Sequence, residues 1–280
     1  MASNLIVARG GIEFVPPISL AFWRWFFVFL ILFFFNFSNL KKDLRTISKK
    51  REYAKLFFLG ATGCGICGAF PFIAGQTTTI VNMGIIYTSS PIFIILISYL
   101  FFGEKFNYLN FIGLILCLVG VFIIIIKGNL DLLINFTFNP GDIWMLGAAI
   151  GWALYSIYLY NWKTNLKVFS RFALIALFGS LSLLPFYVIE EINYASTIFN
   201  LDFFKWTLFA AISPGIIAFS LYTITQRYLG ASITGFTMYL FPVYGACFGI
   251  IFFAETLEYF HYIGALLVFL GIYFVKKRIK

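Results

Sequence analysis

Few residues in this sequence are equipped for chemistry. The first to stand out are two cysteines spaced Cys64-Gly-Ile-Cys67, a spacing used in dithiol redox and metal sites. Neither use finds support around it. The chain has one histidine, His261, and two other cysteines, Cys117 and Cys247, and all four thiols lie inside apolar runs. The pair therefore reads as small side chains packed between helices. His261 has no Asp, Cys or second His beside it in sequence, which argues against a metal or catalytic role. No Gly-rich phosphate loop, nucleophile elbow or zinc spacing occurs, so no enzyme activity, no cofactor and no ATP-driven step is expected.

The charges inside apolar segments are more informative. Arg24 lies in the middle of an apolar run, where a cation is costly unless paired or hydrated. Two readings stay open for it: a functional group facing a cavity, or a side chain that snorkels to the headgroups with Trp23 and Trp25 as interface neighbours. Glu104 and Glu255 each close an apolar run, a place that suits turn formation and interface anchoring better than proton carriage. No carboxylate is expected in mid-span. Candidate cavity residues are the polar and aromatic groups on otherwise apolar segments: Gln76, Tyr87, Ser89, Ser90, Trp152, Tyr155, Tyr222, Gln226 and Tyr239. With 16 Tyr and 6 Trp in the chain, some of these must serve packing alone.

The elements that hold these groups follow from composition. Of 280 residues 61% are hydrophobic and only 11% are charged, against about 25% in ordinary soluble domains. A soluble fold cannot bury that much apolar surface. About 20 helical residues cross the roughly 30 Å hydrocarbon core. The charge-free stretch from Leu56 to Gly103 must therefore fold back, most naturally at Gln76-Thr77-Thr78-Thr79. The same reasoning predicts nine full spans near 18–36, 55–75, 82–102, 107–126, 142–161, 170–189, 205–226, 232–253 and 259–275, after a short first helix in Met1 to Gly11. The net charge of +9 does not point to nucleic acid, because the Lys and Arg residues cluster in the short segments between spans. Alternation places 16 of them on one side, including Lys41 to Lys55 and the C-terminal tail, and leaves Arg9, Lys127 and Lys205 on the other. By the positive-inside rule the first side is expected to be cytoplasmic.

The sequence also repeats. At an offset of 151, Pro91 meets Pro242, Glu104 meets Glu255, Gly113 meets Gly264 and Gly120 meets Gly271. Proline frees a backbone carbonyl and bends its helix, and glycines seven apart share a face on which another helix can come close. Each repeat (1–128 and 140–276) holds five helices, an odd number, so the second enters the membrane from the opposite side. The expected fold is thus all-α, with about ten membrane helices as two inverted five-helix repeats, a plan that secondary transporters use around a midplane site. Met1 aligns with Trp152 and residues 140–151 have no counterpart, so the chain is expected to begin about a dozen residues late, its first helix incomplete.

Several of these residues also carry a resemblance to a family. Ala2-Ser3-Asn4, Pro17 with Ala21-Phe22-Trp23-Arg24, and Pro91 to Glu104 with Gly113 and Gly120 carry it in the first half. Pro140-Gly141-Asp142, Trp152-Ala153-Leu154-Tyr155, and Pro242 to Glu255 with Gly264 and Gly271 carry it in the second. In this order, twice over, the chain resembles the EamA-type branch of the drug/metabolite transporter superfamily. The resemblance implies a central cavity between the halves and, commonly, export of amino acids or other metabolites. The expected partners are a small-molecule substrate and the lipid bilayer of a bacterial cytoplasmic membrane, with monomer and homodimer both open. An uptake permease of the same fold is the alternative, ahead of a membrane enzyme or a non-transporting scaffold.

Overall fold

The computed structural model describes the chain except for residues 46, 48–49, 104–107, 130–138, 236–237, 239–240 and 277–280. Among the described residues ten helices follow one another. They are α1 (Ser3–Gly10), α2 (Pro17–Leu44), α3 (Lys50–Ala74), α4 (Ile80–Phe102), α5 (Tyr108–Ile125), α6 (Pro140–Asn161) and α7 (Val168–Asn193). Helix α8 runs through Leu201–Ala210, Ala211–Ile217 and Ala218–Gly235, and α9 (Phe241–Phe253) and α10 (Tyr259–Lys276) close the fold. The outer faces carry bare aromatic and aliphatic side chains: Phe35 is 90% exposed and Phe34 73%. Lipid imposes no penalty on such a surface, whereas water does.

Length and composition alone qualify six helices to cross a bilayer: α2, α3, α4, α6, α7 and the Leu201–Tyr228 stretch of α8. α5, α9 and α10 supply shorter apolar stretches, where the sequence suggested nine full spans. Where the sequence suggests one helix from 232 to 253, α8 stays helical to Gly235 and α9 is Phe241–Phe253. Its 13 residues match the 13 of Ser90–Phe102, the second piece of α4, so both repeats divide this span at the same place.

Helix boundaries recur at the offset read from the sequence. Lys50–Leu59 corresponds to Leu201–Ala210, and Tyr108–Ile125 to Tyr259–Lys276. Even the π-helical turns correspond, Gly60–Ile66 in α3 and Ala211–Ile217 in α8. Such a turn inserts a residue into the helical ladder and re-aims the side chains beyond it. The most extensive packing pairs each helix with its own repeat mate, α5 with α10 and α2 with α7. Glycine makes the first pairing possible. A Cβ at Gly120 would stand 2.7 Å from the Gly264 carbonyl oxygen, and one at Gly264 2.9 Å from that of Gly120. Gly113 and Gly271 are buried in the same pair.

The break in α4 shows how the prolines are accommodated. Pro91 has no N–H for the Tyr87 carbonyl four residues earlier, and the Ser90 hydroxyl donates to that carbonyl instead. In the second repeat Pro242 likewise frees the Met238 carbonyl, and the Thr88 hydroxyl reaches it across the repeat boundary at 3.4 Å. The two breaks face each other, with Gly84 against Phe241 and Pro242. Ser89 donates to the Ile86 carbonyl at 2.7 Å. The hydroxyls of Ser89 and Ser90 thus satisfy backbone at the break.

Candidate functional site

Arg24 is the centre of the site. It lies seven residues into α2, about 10 Å from the start of that helix, and is 1% exposed, so it does not snorkel to the surface. Its Nη1 donates to Asn4 Oδ1 of α1 at 2.6 Å, and its guanidinium stands 4.4 Å from the Trp25 ring and 5.8 Å from that of Phe72. Its Nε has no hydrogen-bond partner. Among the described residues no carboxylate comes within salt-bridge range of it, the one such pair being Lys205 with Asp202. The charge is held by an amide and by aromatic faces, which leaves it unneutralised.

A cavity of about 30 Å³ opens beside it between the two repeats. The first repeat contributes Asn4, Arg24, Cys67 and Tyr87, and the second Met145, Trp152, Phe219 and Phe241. Cys67 is a free thiol that donates to the Ala148 carbonyl at 3.4 Å, and Cys64 packs against Gly179, as small side chains between helices do. From this cavity an aromatic and polar ladder leads toward the end of the bundle that carries the basic segments. Trp152 packs on Tyr87 at 6.1 Å, on Tyr155 at 5.4 Å and on Tyr222 at 4.9 Å. The Tyr222 hydroxyl is hydrogen-bonded to that of Ser156, and Gln226 Nε2 donates to the Ser156 carbonyl at 3.3 Å. Tyr155 is fully buried with an unpartnered hydroxyl, and its ring fills the space that only a glycine at 63 leaves free.

The sequence candidates thus divide. Arg24, Tyr87 and Trp152 line one cavity; Tyr155, Tyr222 and Gln226 extend from it; Ser90 serves the helix break. Gln76 lies apart, exposed at the opposite end of the bundle, because it sits in the turn between α3 and α4 rather than on a helix. Glu104 and Tyr239 lie outside the described residues. Glu255 follows α9 and accepts from the first backbone N–H groups of α4, Ile80 at 2.8 Å and Val81 at 3.1 Å, a cap supplied across the repeat boundary. Glu190 does the same for α2, accepting from Ile18 at 3.0 Å and Ser19 at 2.6 Å.

One cluster is not apparent in the sequence. Asp142, fully buried in the first turn of α6, accepts from the Thr78 hydroxyl and from Asn82 Nδ2 at 3.2 Å. His261 accepts the Glu258 N–H at Nδ1, so its Nε2 carries the proton that meets Asn82 Oδ1 at 2.9 Å. Asp142 and His261 come from the second repeat, Thr78 and Asn82 from the first. Asp142 is thus a buried carboxylate at a helix start and not in mid-span, and His261 is a buried residue of α10. Partners 60 to 179 residues apart leave no local motif, and the Asp142 signal was absorbed by the Pro-Gly-Asp helix start.

Fold and site together define a polytopic helical membrane protein, two repeats around a small cavity with a buried arginine in its wall. The chain belongs to the EamA-like transporter family, which it matches over residues 1–126 and 139–276. It is similar to an uncharacterized transporter of Archaeoglobus fulgidus, with 26% identity over 97% of this chain and 92% of that one. It is also similar to the uncharacterized transporter YetK of Bacillus subtilis, at 24% identity over 99% of this chain and 84% of that one. A solved crystal structure of 16% sequence identity shares the fold, with a TM-score of 0.64 over 98% of this chain and 92% of that one.

Proposed function

We propose that this transporter is a secondary carrier for small carboxylate-bearing metabolites, amino acids or similar, and that it exports them by alternating access. The observation that carries the reading is Arg24, buried, with no carboxylate partner among the described residues and with an unpartnered Nε beside the inter-repeat cavity. An arginine at membrane depth costs about 2.5–3.5 kcal/mol even on insertion scales. A substrate carboxylate would supply both the missing counter-charge and the missing acceptor. Trp152, Tyr87 and Phe219 would then sort substrates by stacking and shape.

The cavity of about 30 Å³ admits a water molecule, whereas ligand pockets measure about 300–1,000 Å³. Loading therefore requires one repeat to rock against the other, as inverted repeats allow. The basic end is assigned to the cytoplasm of a bacterial inner membrane, with the C-terminus on that side. Direction is set by gradients, so the same fold would serve uptake. The test is uptake and efflux of a labelled metabolite panel in proteoliposomes, with and without a pH gradient. Saturable flux of at least one carboxylate, lost in Arg24→Gln, is the expected result; no flux of any compound would refute a carrier.

A further inference from the structure

A second cavity, of about 280 Å³, opens at the basic end of the bundle and is lined by Lys163, Arg171 and Arg227 with Thr164, Thr223 and Gln226. Among the described residues three cations and no carboxylate form its wall. Arg171 is 6% exposed; its Nη1 and Nη2 donate to the carbonyls of Leu159 and Trp162 at 3.1 and 2.8 Å, and its Nε–H has no partner. Arg227 spends one nitrogen on the Leu166 carbonyl at 3.4 Å. Glu52 acts on Arg171 through space without forming a salt bridge.

The repeat gives this pocket a natural control. Lys163, Thr164 and Arg227 stand where the first half has Ile12, Glu13 and Gln76, and those three line the cavity at the opposite end together with Glu190. One mouth is cationic and its counterpart carries carboxylates, although the same fold builds both. Packing therefore does not require the cations.

From this we infer that the basic mouth is a second anion-binding site, one that takes the carboxylate or phosphate group of a soluble metabolite before it reaches Arg24. The inference rests on the carrier reading for its place in transport. Gln226 belongs both to this pocket and to the ladder that ends at Trp152, so the two sites share one polar path. Lys163 and Arg227 are exposed and supply attraction, while the buried Arg171 supplies a fixed donor.

The experiment measures calorimetric binding of citrate and of inorganic phosphate at constant ionic strength. The full chain is held in nanodiscs of phosphatidylcholine alone. Saturable binding is expected, weakened about tenfold by Arg227→Gln or Lys163→Gln and unchanged by Lys205→Gln, an exposed lysine outside both cavities. Arg171→Gln is expected to weaken it as much, but it also uncaps the end of α6, so the two exposed variants decide. Equal binding in wild type and in both exposed variants, or binding of neither probe, overturns the site. Retention of phosphatidylglycerol that neither probe displaces assigns the pocket to a lipid headgroup and also overturns it. Flux separates this from the carrier reading. Arg24-dependent flux with an unaltered isotherm in the mouth variants removes the mouth alone. A mouth-dependent isotherm without flux removes the carrier alone.

Discussion

The two mouths of this molecule are built from corresponding segments and yet treat charge in opposite ways. At the basic end Lys163, Arg171 and Arg227 line a cavity of about 280 Å³, and among the described residues α2 is tied to the start of α7 through Asn36 with Ser170 and Lys167 with Asp43 and Asn39. At the other end polar groups bolt the repeats together: Asp142 to Thr78 and Asn82, His261 to Asn82, Glu255 to the start of α4 and Arg9 to the Gly75 carbonyl. The sequence positions that correspond to Thr78 and Asn82 are Leu229 and Ile233, so the bolt has no polar copy in the second half. Inverted symmetry fixes where the helices go. Side chains decide which end is cationic and which end carries the polar bolt.

The comparison breaks most visibly if Arg24 is not the centre that both mouths serve. Arg24→Gln should lower carboxylate flux about a hundredfold at subsaturating substrate, with expression unchanged, because it removes the guanidinium charge from the cavity wall. Next comes the bolted end. Asp142→Ala strands Thr78 and Asn82, and the loss of about 1–3 kcal/mol from that closure should raise labelling of Cys67 by an impermeant maleimide at least tenfold. Labelling is applied from the side opposite the basic segments, with the other cysteines replaced. Unchanged labelling would show that the polar cluster does not hold the gate. A packing change sharpens the comparison differently. Gly63→Ala would place a Cβ 2.3 Å from the Tyr155 ring and should cost about 1–3 kcal/mol of stability, read as a lower midpoint in a thermal melt. The smallest effect is expected at Lys205→Ala, whose exposed pair with Asp202 contributes under about 1 kcal/mol, and the melt should stay within error.

Much of this was legible in the sequence for specific reasons. Pro91 and Pro242 are scarce residue types at a fixed offset, and they do mark equivalent helix breaks. Arg24 is conspicuous because a cation inside an apolar run has few permitted explanations, whereas Trp152 and Tyr87 stand out only as aromatic groups on apolar segments, with nothing in the sequence to place them beside it. What could not be read were relations between segments. His261 looked isolated because Asn82, its partner, is 179 residues away. Gln76 was grouped with cavity residues on polarity alone, although it belongs to a turn that faces the outside. Helix periodicity could not place the start of α9, because α8 continues past the expected boundary. The cations of the basic mouth were counted as loop charge, since three residues from α7, α8 and the segment between α6 and α7 meet only after folding.

The account turns on where the substrate sits, and Cys67, which shares the cavity wall with Arg24, reports on that directly. The measurement is the rate at which maleimide modifies Cys67, as the sole thiol, with and without a saturating transported carboxylate. Protection in wild type that disappears in Arg24→Gln is the predicted result. Flux that proceeds while the carboxylate leaves the rate unchanged in wild type would contradict the account.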